Sequence, residues 1–277
     1  MKVTKFSGEI VLFDKEKLRD SLRKSGADER AVSEVIKVIE QELYEGIPTK
    51  KIYKLAFQLL KKFSNVHAAR YNLRMAVQAL GPAGFYFEKF VAKLFELEGF
   101  QAQTNLILNG KCISHELDVL LKKDEVVAMI ECKFHGNREA KTDVKVPLYI
   151  LSRFNDLKEK KFQVFDTVYA IQDCWIVTNN RFTEDAIKFA VCSDLKLLSW
   201  DYPKGNSLRD KIDMAQIYPV TCLTTLTQLE KDKLLMQEII TVKDLMEQSD
   251  WLSKIGLSNH RIKNSLFEAN QLCNYVK

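Results

Sequence analysis

Between residues 103 and 133 short apolar runs alternate with tight turns, and this is the clearest pattern in the 277-residue chain. Residues 103–108 read as a strand and Asn109-Gly110 as a hairpin turn. Residues 111–121 return as a second strand, Lys122-Lys123-Asp124-Glu125 turns again, and residues 126–133 form a third. Helical spacing surrounds this block. Upstream, residues 3–12 read as two short strands around Ser7-Gly8, and Asp14 caps a first helix. Val32, Val35, Ile36, Ile39 and Leu43 recur at helical spacing, as do the apolar positions of residues 52–60 and 68–80, with Gly46 and Pro48 marking a turn. About four helices are therefore expected before residue 80. Downstream, residues 85–98, 144–161 and 183–191 read as helices, and residues 167–177 and 195–199 as strands. Further helices are expected at 208–216, 226–236, 241–248 and 261–272, with Thr241 and Asp250 as caps.

Two breakers divide this pattern. Leu80-Gly81-Pro82-Ala83-Gly84 is the sharper, and Asp201-Tyr202-Pro203-Lys204-Gly205-Asn206-Ser207 is the second. They predict segments 1–80, 81–205 and 206–277. Hydrophobic residues make up 46% of the chain, enough for real cores. A net charge of +5 permits nucleic-acid binding without demanding it. The six cysteines are scattered with no C-x-x-C pair, which excludes a zinc framework and a secreted disulfide scaffold. No apolar run approaches the roughly 20 residues of a membrane span, and Met1-Lys2-Val3 leads directly into amphipathic sequence, so the expected location is the cytoplasm with no membrane partner.

The chemistry concentrates in residues 114–133. Asp118 lies on the second strand of the block; Glu131 and Lys133 lie on the third, two apart and so on one face. Charged groups at the ends of apolar strands are costly to bury unless neutralised. A divalent cation on Asp118 and Glu131, with Lys133 beside it, would neutralise them, and oxygen ligands suit Mg²⁺ or Mn²⁺. Strand alternation puts Glu116 on the face of Asp118, as a further acid near the metal or as a partner for a lysine, and turns His115 away.

This Asp-x(12)-Glu-x-Lys pattern resembles the PD-(D/E)xK nuclease core. Gly84-Phe85-Tyr86-Phe87-Glu88 resembles the helix that opens Mrr-like restriction endonucleases, and residues 176–186 resemble the strand–turn–helix that follows their catalytic hairpin. The resemblance covers residues 81–200. It implies that Asp118, Glu131, Lys133 and Glu88 are catalytic, and that Asp118, Glu131 and the Cys132 carbonyl hold Mg²⁺ or Mn²⁺. His115-Glu116 stands where those relatives are glycine-rich. The polar stretch 134–143, with His135, Arg138 and Lys141, is either a substrate contact or a solvated loop, and Lys145 and Arg153 can project toward the site.

Residues 1–80 resemble the ATP-cone, a nucleotide-binding regulatory domain. The residues that carry this are Val3-Thr4-Lys5-Phe6-Ser7-Gly8, Phe13-Asp14, Lys17, Gly46-Ile47-Pro48-Thr49 and Ala68-x-x-Tyr71-x-x-Arg74. The resemblance implies ATP or dATP contacts at Val3, Lys5, Asp14, Lys17 and Thr49. Phe6 replaces the arginine that usually follows the first lysine. The last segment resembles a helix-hairpin-helix module through Ile255-Gly256-Leu257, with Lys254, His260, Arg261 and Lys263 nearby, and reads equally as a packing or dimerisation unit.

The expected fold is therefore multi-domain α/β: a β-hairpin plus helical cone, a mixed-sheet αβββαβ restriction-endonuclease-like core and a small all-α tail. The expected function is metal-dependent cleavage of DNA by a homodimer, since cutting both strands needs two sites, with nucleotide at the cone as regulator. The alternative is a nucleotide-sensing, nucleic-acid-binding regulator whose nuclease core does not cut.

Overall fold

The computed structural model describes residues 1–5, 7–81 and 84–275. Phe6, and Pro82-Ala83 of the first breaker, lie outside the described residues. The chain forms two compact units, residues 77–217 and residues 1–76 together with 218–277. The segments read as first and last in sequence thus fold together.

The first unit opens on β1 (Lys2–Thr4) and β2 (Ile10–Leu12), paired antiparallel. Asp14 caps α1 (Lys15–Lys24), its Oδ1 accepting from the Lys17 N–H at 3.0 Å, as expected. After α2 (Glu29–Glu42), the short strand β3 (Ile47–Pro48) pairs parallel with β1 and leads into α3 (Thr49–Phe63). Pro48 therefore precedes the helix and also closes a three-stranded sheet of order β2-β1-β3. The single helix expected at 68–80 is two, α4 (Asn65–Tyr71) and α5 (Leu73–Gln78), joined at Asn72. Val3, Leu22, Val32, Ile36, Ile47 and Leu60 fill the cone core.

The second unit begins with α6 (Phe85–Glu96). Then come β4 (Gln101–Asn109), β5 (Ser114–Lys123) and β6 (Val126–Lys133), an antiparallel meander in the expected register of turns. The polar stretch 134–143 contains β7 (Lys141–Thr142), and the helix expected to reach 161 stops as α7 (Lys145–Leu157). A hairpin of β8 (Lys161–Val164) and β9 (Thr167–Ala170) follows, then β10 (Asp173–Thr178), β11 (Arg181–Phe182), α8 (Glu184–Cys192) and β12 (Lys196–Leu198). β10 lies parallel to both β6 and β12, giving a mixed sheet ordered β12-β10-β6-β5-β4. The last helix of this unit, α9 (Leu208–Ala215), carries a Ser207–Asp210 capping box. The Phe95 ring packs edge-on to Trp175 at 5.5 Å, while Ile150, Leu157 and Ala186 pack with Leu120, Met129 and Ile176 in a second cluster.

The chain then returns to the first unit through a 3₁₀ turn at Val220–Cys222, followed by α10 (Gln228–Met236), α11 (Val242–Glu247), α12 (Trp251–Lys254) and α13 (Asn259–Cys273). Thr241 caps α11 as expected. Asp250 makes no side-chain cap and instead pairs with Lys254 at 2.5 Å. The returning segment is stitched to the cone. Arg70 Nη1 donates to the Tyr218 hydroxyl at 3.0 Å, and the Thr221 hydroxyl donates to the Ala76 carbonyl at 2.6 Å. Glu268, 1% exposed, accepts the Thr224 and Thr225 N–H groups at 2.7 and 2.9 Å.

Candidate active site

The β5–β6 ladder runs from Lys123↔Val126 to Val119↔Ile130 and stops there. One step further in the same register stand Asp118 and Glu131. The strands open at this point, and side chains take over from the main chain. Asp118 Oδ2 accepts from the Cys132 N–H at 2.7 Å. On the other flank of β5, Thr104↔Val119 and Leu106↔Leu117 are paired, so Asn105 stands opposite Asp118, with φ +58 in the middle of a strand.

Glu88 enters from the first turn of α6. Gly84, which starts that helix, has φ +81, and a Cβ there would come within 3.2 Å of Glu88 Oε1. Glycine serves both the left-handed backbone and the approach of the acid. Burial, then Asp118 and Glu116, push the Glu88 carboxyl up to about 7. Burial and Asp118 push Glu131 up to about 7, against the pull of Arg153. Asp118 is raised mainly by burial, opposed by its hydrogen bond from Cys132 and by Arg153. Three acids thus share one half-buried mouth, and Glu116 stands close enough to raise two of them. Lys133 ends β6 with an exposed side chain.

Oxygen donors under excess negative charge suit a hard divalent cation. Among the described residues no trio of His, Cys, Asp and Glu side chains forms a ready-made ligand cluster. The donors to hand are two carboxylates and the main chain of Cys132. The Cys132 thiol is raised well above its ordinary range, chiefly by burial, which makes it an unsuitable ligand.

Arg153 does project to this mouth. Its Nη1 donates to Glu131 Oε2 at 2.5 Å, and Nη2 donates to the Glu116 carbonyl. His115 turns the other way, as alternation predicts, and meets Asp156 Oδ2 at 2.8 Å. Asp156 also accepts the Cys112 and Ile113 N–H groups at 2.8 and 3.3 Å, fastening α7 to the start of β5. In the stretch 134–143, His135 is a fastener: its ring meets the Thr142 hydroxyl at 2.8 Å, and burial lowers its pKa. Asn179 receives the His135 N–H at 2.8 Å, and Asn180 donates to the Asn137 and Ala140 carbonyls at 2.6 and 3.0 Å. These asparagines follow β10 and hold the loop after Lys133 in place. In the sequence these asparagines carry no signal beyond that resemblance, because a loop's hydrogen bonds have no periodicity.

The cone residues spread along the length of β1. Lys5 and Thr49 stand one step beyond the Thr4↔Pro48 pair, at one end of the small sheet. Asp14 and Lys17 begin α1 at the other end, where Phe13 N–H meets the Met1 carbonyl. Lys5 pairs with Glu9 at 2.8 Å and Lys17 with Asp14 at 3.3 Å, both exposed. Val3 is 3% exposed, and its side chain belongs to the core, so only its main chain could meet a ligand. A cleft of about 300 Å³ between α2 and α3, lined by Ile39, Leu43, Ile47, Lys51 and Leu55, includes none of these five. In the last segment Arg261 is committed internally, its two nitrogens on Glu230 at 2.5 and 2.8 Å. Gly256 has φ +95 in the turn between α12 and α13.

The mixed sheet opening on two acids, with a third from the preceding helix, defines a restriction-endonuclease-like domain, here carried with an ATP cone. The family models agree: residues 1–77 match the ATP cone domain, residues 83–202 the Mrr-type catalytic domain described as restriction endonuclease, and residues 218–273 the AF1548-like C-terminal domain. An uncharacterized protein of Archaeoglobus fulgidus is 32% identical over 186 residues, covering 66% of this chain and 99% of that relative. A crystal structure of AF1548, a protein of unknown function, aligns with TM-score 0.56 and 30% identity over 68% of this chain and 97% of that one. The chain belongs to this AF1548-like family, and about a third of its length lies outside the match. Among the described residues no helix is long and apolar enough to cross a membrane.

Proposed function

We propose that the protein is a metal-dependent endonuclease hydrolysing phosphodiester bonds in DNA as a homodimer, with ATP or dATP at the cone as regulator. The observation that carries this reading is the convergence of Glu88, Asp118 and Glu131 where β5 and β6 part, with Lys133 two residues beyond Glu131. Asp118, Glu131 and the Cys132 carbonyl would hold Mg²⁺ or Mn²⁺, and the bound ion would acidify a water and draw charge from the scissile phosphate. Lys133, exposed at the strand end, would orient that water or balance charge gathering on the phosphate oxygens. Glu88, titrating near 7, is matched to accept the water's proton at neutral pH. At the cone, Lys5 and Lys17 supply cations for a nucleotide's phosphates once drawn from their acidic neighbours, and Thr49 a hydroxyl at the start of α3. Regulation then needs a nucleotide that prefers one of two assembly or conformational states.

The test is cleavage of supercoiled plasmid, linear duplex and branched DNA with Mg²⁺ or Mn²⁺, with and without ATP or dATP, beside Asp118→Ala and Glu131→Ala. Metal-dependent cutting lost in both variants supports the nuclease. No cutting on any substrate, with nucleotide and DNA binding intact, moves the assignment to a non-cutting regulator.

A further inference from the structure

The two acids at the mouth are held in matching ways. Asp118 has one oxygen, Oδ2, fastened by the Cys132 N–H, and Glu131 has one oxygen, Oε2, fastened by Arg153. Neither Asp118 Oδ1 nor Glu131 Oε1 receives a hydrogen bond among the described residues. Each carboxylate is thus tied on one side and open on the other.

Arg153 is well placed to do the tying. Its side chain is 11% exposed and that of Glu131 15%, so water competes little for the pair. The second nitrogen of its fork reaches the Glu116 carbonyl, two residues before Asp118. One guanidinium therefore spans from β6 to β5 at the place where their own ladder has ended. The helix that carries it is pinned one turn later, where Asp156 grips Cys112, Ile113 and His115. One turn earlier the Tyr149 ring lies 5.6 Å from the guanidinium.

We propose that Arg153 is a positioning residue that presents the free oxygen of Glu131 to the cation, an inference that rests on the metal-site reading above. The geometry argues against the opposite role, a counter-ion that competes for the site. A competing arginine would take both carboxylate oxygens with its fork. Here it takes one and spends its other arm on a main-chain carbonyl. Outer partners of this kind fix a ligand's orientation, and their loss weakens metal binding roughly 10–100-fold. Lysine offers its donors from one nitrogen and lacks the planar fork with which Arg153 reaches the two acceptors through separate nitrogens.

The test is Mn²⁺ binding to the full-length protein without DNA, read from the spin-resonance signal of free Mn²⁺, with thermal melts in chelator to confirm folding. Asp118→Ala should abolish the site. Arg153→Met should weaken it roughly 10–100-fold, and Arg153→Lys should recover only part. Unchanged or tighter binding in Arg153→Met, with Asp118→Ala still dead, would overturn the positioning role and leave the nuclease reading standing. Full recovery by Arg153→Lys would overturn the two-point bridge. Undiminished binding in Asp118→Ala would overturn the metal site itself, and this inference with it.

Discussion

Asp118 accepts a hydrogen bond from the Cys132 main chain at 2.7 Å, at the first position where β5 and β6 no longer pair. The acid therefore does two things: it closes the strand pair and it keeps one oxygen free. Asp118→Asn retains an acceptor for Cys132 and loses the charge. It should melt near the wild-type temperature yet cut at least about 10³-fold more slowly, a loss of about 4 kcal/mol of transition-state stabilisation. Asp118→Ala should cut no better and also melt lower. Equal cutting by Asp118→Asn and wild type, followed by plasmid nicking, would remove Asp118 from the chemistry.

The proton balance of Glu88 and Glu131 gives a signed prediction. An ordinary glutamate titrates near 4.3, and in the folded, metal-free protein both carboxyls are pushed up to about 7. Between those values the folded chain holds more protons than the unfolded one, so stability falls as pH rises. Melts in chelator should therefore drop from pH 5 to pH 8, and Glu88→Gln should flatten the drop. For the same reason Mn²⁺ should bind more tightly as pH rises through 7, since ligand carboxylates must lose their protons. A stability curve that climbs over this range in wild type and variant alike would contradict the assignment.

Much of this mouth was legible in advance because two signals coincide there. Apolar runs of strand length set β5 and β6, and tight turns set their register, which puts Asp118 across from Glu131 without further information. The hairpin of β8 and β9 was not legible. Its turn is Phe165-Asp166, both with positive φ (50 and 61), where sequence reading looks for Asn-Gly. Arg153 was visible only as a cation one helix away, since nothing in its own neighbourhood says which carboxylate a long side chain will reach. The joining of residues 1–76 with 218–277 was hidden for a different reason: breakers mark where a chain bends, not which segments later share a core.

That shared core has a specific weak point. Glu268 is 1% exposed and satisfies the N–H groups of Thr224 and Thr225. Glu268→Ala would leave two half-buried donors without their acceptor, each loss costing about 1–3 kcal/mol when burial is complete and less where water can reach. The loss of unfolding free energy should be roughly 2 kcal/mol by urea titration, the low end for two donors, with Glu268→Gln losing less because its amide oxygen can still accept. A neutral Glu268→Ala would mean that water replaces the carboxylate there.

Asn105 offers the most local test. It stands opposite Asp118 with φ +58, while its neighbours Thr104 and Leu106 keep regular pairing. Left-handed backbone in mid-strand costs a β-branched residue about 1–2 kcal/mol and costs glycine nothing. Asn105→Gly should therefore melt at or slightly above the wild-type temperature, and Asn105→Val should melt lower, losing about 1–2 kcal/mol of unfolding free energy. The activities should separate differently. If the kink serves only the backbone, Asn105→Gly cuts like wild type. If the amide also meets substrate beside Asp118, cutting falls in Asn105→Gly while its stability does not, because strain held at a site is retained for what the site does. Comparing melting with cutting in that one variant divides the two roles, since glycine removes the side chain and keeps the conformation.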